Sequence, residues 1–118
     1  MNELRQILED YIKLRNISKG IVPVLLELIE LQNKDGKIIV NASLKRDIGS
    51  RINVTNGSID NMITRLVETE ILIRVDRGMY VVCSELKSLD IKSNEPIEML
   101  IKYDKAGKII TINGGRKL

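Results

Sequence analysis

Two amphipathic helical segments separated by only three residues constrain this chain more than any other feature. Leu44, Ile48 and Ile52 recur at i, i+4 and i+8, and Ile59, Met62, Ile63, Leu66 and Val67 form a second helical face of about four turns. Only Asn53-Val54-Thr55 separates the first helix, which runs to Ile52, from the second, which starts at Asn56. Thr55 can offer its oxygen to the unpaired amides of the second helix, and Asn41 or Ser43 can cap the first. Gly49 is the small residue at a close helix crossing, and Asn53 suits a left-handed turn position. Val54, Ile59 and Met62 plug the angle between the helices, and Ile48 and Ile52 complete the seam. The segment therefore reads as a helix-turn-helix.

The flanking pattern completes a fold. Leu4, Ile7, Leu8, Tyr11 and Ile12 predict an amphipathic helix from Asn2 to Arg15, broken at Asn16 to Gly20. Pro23 opens a second helix that is apolar almost all round, from Ile21 to Leu31, so it belongs at the centre. Asn33-Lys34-Asp35-Gly36 is a turn, and Lys37-Ile38-Ile39-Val40 is short and strand-like.

After Val67 the apolar period changes from helical to alternating. Ile71 to Val75, the turn Asp76-Arg77-Gly78, and Met79 to Cys83 read as a hairpin. Ser84 to Pro96 is polar and irregular, hence a connector. Ile97 to Tyr103 and Lys108 to Asn113 form a second hairpin around Asp104-Lys105-Ala106-Gly107, and Gly114 to Leu118 is a frayed tail. The expected class is mainly α with a small β-sheet: a winged helix-turn-helix (residues 21–83) with an added N-terminal helix (1–20), a connector (84–96) and a C-terminal β-hairpin and tail (97–118).

Composition removes several function classes. With 118 residues there is room for one domain, and with no His, Phe or Trp its core must be aliphatic. The lack of His and the single Cys remove the usual zinc ligands and the usual general base, so no enzyme, metal or other cofactor is expected. Cys83 reads as a buried strand-end residue rather than a reactive thiol. No disulfide, signal segment or spanning apolar run is evident, and the expectation is a cytoplasmic protein with no membrane association. The net charge of +3 permits an acidic partner without demanding one, so position matters more than sum.

Position is informative on the second helix of the pair. Its seam turns Asn56, Gly57, Ser58, Asp60, Asn61, Thr64 and Arg65 outward. An α-helix fits the DNA major groove, where Asn can pair with adenine and Arg with guanine, while Ser and Thr reach bases or phosphates. Gly57 allows close backbone approach. Lys45, Arg46 and Arg51 on the preceding helix lie near phosphates, and Arg74 and Arg77 flank a hairpin turn that can meet the backbone or the minor groove. Asp60 is tolerable beside phosphate if it reads a cytosine amino group or pairs with a cation.

Asn56-Gly57 is also a strong hairpin signal. It loses here because the residues after it keep a helical period. Asn53-Val54-Thr55 and Asn56-Gly57-Ser58 match a glycosylation pattern that has meaning only in a secreted chain.

Gly36-Lys37-Ile38-Ile39-Val40-Asn41, Val54 to Ile63 and Ile71 to Tyr80 together resemble the winged-helix replication proteins of firmicute plasmids and the related small phage regulators. The resemblance covers residues 21–83. It implies a DNA-binding domain in which Thr55, Asn56, Gly57, Ser58, Asn61, Thr64 and Arg65 belong to the recognition helix, and Arg77 and Gly78 to the wing turn. After the wing that family continues with an Asn-Pro pair, where this chain has Cys83-Ser84. Origin melting and helicase recruitment depend on parts outside the match. The leading expectation is therefore transcription regulation for a phage, plasmid or other mobile element. Replication initiation, or a protein-binding use of the same scaffold, is the alternative. The partner expected is double-stranded DNA. Since one recognition helix reads few base pairs, a homodimer is expected, paired through the N-terminal helix or the C-terminal hairpin.

Overall fold

The computed structural model describes residues 2–87 and 97–114. Helix α1 (Asn2–Leu14) buries Leu4, Leu8, Tyr11 and Ile12, the stripe that its apolar spacing requires. It stops at Asn16, whose φ of 61° is left-handed, a conformation that Asn tolerates better than most residues. There the Asn16 amide donates to Lys13 O and the Ile17 amide to Ile12 O, both at 3.0 Å, which satisfies carbonyls left open by the helix end. A 3₁₀ turn, Lys19–Ile21, leads into α2 (Val22–Glu30), with Pro23 in its first turn. Val22, Val24, Leu25, Leu28 and Ile29 are all buried, so α2 is the centre of the core.

Strand β1 (Ile38–Ile39) precedes α3 (Ala42–Ile52) and α4 (Asn56–Glu68), and β2 (Leu72–Asp76) and β3 (Met79–Val82) follow. The three strands pair antiparallel in the order β1-β3-β2. Ile38 faces Tyr80 across one ladder, and Leu72 faces Val82 across the other. Ile38, Leu72 and Val82 are buried on the helix side of the sheet. Gly78 closes the β2–β3 turn at φ +67°, where a side chain is strained, and a Cβ there lies 2.9 Å from Val40 O. The same close approach lets Val40 N donate to Gly78 O at 2.8 Å.

Ser84, expected to begin an irregular connector, instead begins one helical turn, α5 (Ser84–Lys87). Leu86 is buried there, and the Leu86 amide donates to Cys83 O. That burial supplies the driving force which local polarity concealed. Residues 88–96, the rest of that expected connector, lie outside the described residues, as do residues 115–118 of the expected frayed tail. Strands β4 (Ile97–Asp104) and β5 (Gly107–Gly114) pair without a register break. Ile110 and Ile112 are buried, and Lys108 Nζ reaches Leu14 O at 2.7 Å.

The result is a compact, mixed α+β chain with a small three-stranded sheet and a separate two-stranded one. Its Cα radius of gyration is 14.3 Å, close to the roughly 13–14 Å that length predicts for a compact chain. Among the described residues no helix is long and apolar enough to cross a membrane.

Candidate functional site

The junction of α3 and α4 is built from local capping and one forced glycine. Asn41 accepts from the Leu44 amide at 2.9 Å and opens α3, and Thr55 Oγ1 accepts from the Ser58 amide at 3.1 Å and opens α4. Between them Asn53 takes φ 62°, ψ 50°, and the Val54 amide returns to Gly49 O at 2.9 Å. The chain passes so close to α3 that a Cβ on Gly49 meets Val54 O at 2.7 Å. Gly49 thus accommodates the turn itself rather than the crossing of two helix bodies. Ile48 and Ile59 are fully buried, while Leu44, Ile52, Val54 and Met62 are half-buried around them.

This packing leaves Thr55, Asn56, Gly57, Asn61, Thr64 and Arg65 exposed, and Ser58 half-buried. The Thr55 and Ser58 hydroxyls lie 3.2 Å apart. Asn61 and Arg65, one turn apart, line an open recess of about 340 Å³ with Ser18, Gly20 and Met62. Around Gly57 the nearest atom to a Cβ is Thr55 Oγ1 at 3.9 Å, so this first turn is free of crowding.

The basic residues divide into paired and unpaired groups. Lys45 Nζ pairs with Asp60 Oδ1 at 2.6 Å, which answers why an acid is tolerated on this face of α4. Arg51 donates through Nε and an Nη to Glu27 Oε1 at 3.0 and 2.7 Å, and this hydrogen bond and charge hold its pKa above the usual value. Arg74 Nε reaches Asp76 O at 3.4 Å. Among the described residues, Arg46, Arg65 and Arg77 have no ion pair, and all three are exposed. The β2–β3 turn is shaped by Asp76, whose carboxylate accepts from the Arg77 amide at 2.7 Å.

A second cluster fixes the far end of α4. Glu70 takes φ 65°, with its amide donating to Val67 O and the Ile71 amide to Leu66 O. Arg15 donates to Thr69 O at 2.7 Å, placing a cation on the negative end of α4. The same guanidinium donates to Tyr11 Oη at 2.7 Å and to Glu85 Oε1 at 3.0 Å, and Tyr11 Oη also contacts Glu85 Oε1 and Cys83 Sγ. Burial pushes the Tyr11 phenol well above its ordinary value, and hydrogen bonds to Cys83 and Glu85 push it further. Burial opposes the Arg15 charge, but the charges of Tyr11 and Glu85 outweigh it and the net shift is upward. Sequence reading missed this cluster because Tyr11 and Glu85 are 74 positions apart and no local pattern links them.

Arg74 lines an open groove of about 960 Å³ with Arg15, Glu70, Glu85 and Lys108.

No protein-family model, curated protein or solved structure matches this chain.

Proposed function

We propose that the chain is a winged helix-turn-helix protein that binds double-stranded DNA sequence-specifically and regulates transcription in a phage, plasmid or other mobile element. The observation that carries this reading is the exposed polar face of α4, where Asn56, Gly57, Asn61, Thr64 and Arg65 are accessible while Ile59, Ile63 and Leu66 hold the helix from behind. A helix presented in this way fits the major groove, and its Asn and Arg side chains match the donor and acceptor patterns of adenine and guanine. The order α2, β1, α3, α4, β2, β3 supports the same reading, with the β2–β3 hairpin as the wing and Arg77 at its tip. In this reading Arg46, Arg74 and Arg77 meet phosphates, with Arg74 and Arg77 on the wing. Lys45 joins once Asp60 releases it. No catalytic step is invoked.

Selection from random duplexes at moderate salt tests the reading. The expected result is an enriched site whose binding is lost on Asn61→Ala or Arg65→Ala. Absence of enrichment favours use of the same scaffold as a protein-binding module, a reading that gains support from Lys45 and Arg51 being already paired. A replication role shares the DNA contact, and is separated from transcription control by whether the enriched site lies in an origin or a promoter.

A further inference from the structure

We infer that Asp60 sets sequence selectivity on the exposed face of α4: it holds Lys45 in the free protein and takes the amino group of a cytosine in the bound one. The inference deepens the DNA reading above and rests on it. Asp60 is the one acid between Asn56 and Arg65, and it stands in the middle of a row, Asn56, Asp60 and Thr64, whose spacing of four puts all three on one side of the helix. All three are exposed. This row borders α3, since Asn56 Oδ1 lies 3.7 Å from the place of a Cβ on Gly49, and Lys45 Nζ lies 2.6 Å from Asp60 Oδ1. Asn61 and Arg65, on the next row round, line the recess beside Ser18 and Gly20 instead.

An ionised carboxylate only accepts hydrogen bonds. In the major groove the donors are cytosine N4 and adenine N6, and adenine sets its N7 acceptor beside that donor, so cytosine is the base that matches a lone carboxylate. Opposite any other base, Asp60 adds a negative charge to a surface already lined by phosphates.

The ion pair gives the carboxylate a way into the groove. Asp60 is 55% exposed and Lys45 31%, so their pair contributes little to stability, and Lys45 can turn to a phosphate as Asp60 turns to the base. Where no cytosine stands at that position the exchange fails in both directions. If Lys45 leaves, a carboxylate is stranded among phosphates; if Lys45 stays, one cation is withheld from the DNA. Selectivity here comes from excluding wrong sites as much as from attracting the right one.

The test is the random-duplex selection at moderate salt, run in parallel on the full chain as wild type, Asp60→Asn and Lys45→Gln, each with native circular dichroism. The wild-type site is expected to hold a cytosine at one position, preferred by about 5- to 100-fold. In Asp60→Asn that preference gives way to adenine, which an Asn can pair bidentately, or to no preference, while the rest of the site is kept. Lys45→Gln breaks the same ion pair but keeps the cytosine; it weakens binding to all sequences alike and lowers the slope of log affinity against log salt by about 1. Asp60→Ala gives the same loss of preference should Asp60→Asn fail to fold. A site unchanged by both Asp60 variants overturns the inference and leaves the DNA reading standing. So does a change at a position that was not cytosine, or the same change in Lys45→Gln, which makes the pair a brace between α3 and α4 only. A wild-type chain that enriches no site overturns the DNA reading, and this inference with it.

Discussion

Replacing Gly49 by alanine sets two effects of opposite sign against each other. Helix propensity alone favours alanine in the interior of α3 by about 1 kcal/mol. The added methyl, however, sits 2.7 Å from Val54 O, where ordinary contact begins at 3.4 Å, so something must move by roughly 0.7 Å. The obstacle is backbone, and it is pinned: the Val54 amide donates to Gly49 O, and Asn53 next to it holds a left-handed conformation. Overpacking of this kind costs about 1–3 kcal/mol, and loosening the Val54 hydrogen bond costs about 1 more. Net destabilisation of about 1–3 kcal/mol follows, which for a chain of this length lowers Tm by roughly 4–12 °C. Urea unfolding followed by far-ultraviolet circular dichroism measures it. Gly57→Ala is the matched control, since its Cβ meets nothing nearer than 3.9 Å; it should leave stability unchanged or raise it by up to about 1 kcal/mol. A Gly49→Ala protein as stable as wild type refutes the account of the turn.

Three further outcomes follow from the same geometry. Tyr11→Phe removes the hydroxyl shared by Arg15, Glu85 and Cys83 and should cost about 1–3 kcal/mol in urea unfolding. Because burial raises the folded pKa of Tyr11 above its ordinary value of 10, its contribution is complete below about pH 10 and is lost as pH rises further. The fall in stability between about pH 9 and pH 11 should therefore be shallower in Tyr11→Phe, and an identical fall in both proteins contradicts the burial argument. Glu70→Gly relieves a left-handed residue that makes no ion pair within the described residues and should stabilise by about 0.5–1 kcal/mol; a lower urea midpoint speaks against this. On an enriched duplex, Arg46→Ala and Arg77→Ala should each reduce the slope of log affinity against log salt by about 1, and Arg51→Ala, held by Glu27, should leave it unchanged. Equal slopes for all three variants contradict the division into paired and unpaired cations.

The helices and turns were legible because each carries its own signal. Asn41 and Thr55 cap within three residues, Asn53 turns within its own backbone, and the switch from helical to alternating period at Ile71 marks β2 without reference to any distant residue. The polar face of α4 was legible for the same reason, since Ile59, Ile63 and Leu66 fix which side is buried. What lay hidden depends on pairs that only tertiary packing brings together. Arg51 looked available for phosphate until α2 placed Glu27 against it, 24 positions away. The turn after Cys83 looked polar because the gain from burying Leu86 depends on the rest of the core. Arg15 ended a helix in the sequence, and only the fold sets it at the end of α4.

These long-range pairs also sort the cations by what it costs to redirect them. Lys45 and Asp60 are 31% and 55% exposed, and a surface pair of that kind is worth about 0–1 kcal/mol, so an incoming phosphate can replace Asp60 at small cost. Arg15 is different: it is 26% exposed and divides its donors among Glu85, Tyr11 and Thr69 O, so withdrawing it strands a carboxylate, a phenol and a helix-terminal carbonyl together. A polyanion approaching α3 and α4 can therefore recruit Lys45 alongside the unpaired Arg46, Arg65 and Arg77, whereas Arg15 stays committed to holding α1, α4 and α5 in register. On the proposed DNA reading, the α4 face offered to bases is held at its C-terminal end by a cation that lies outside that face.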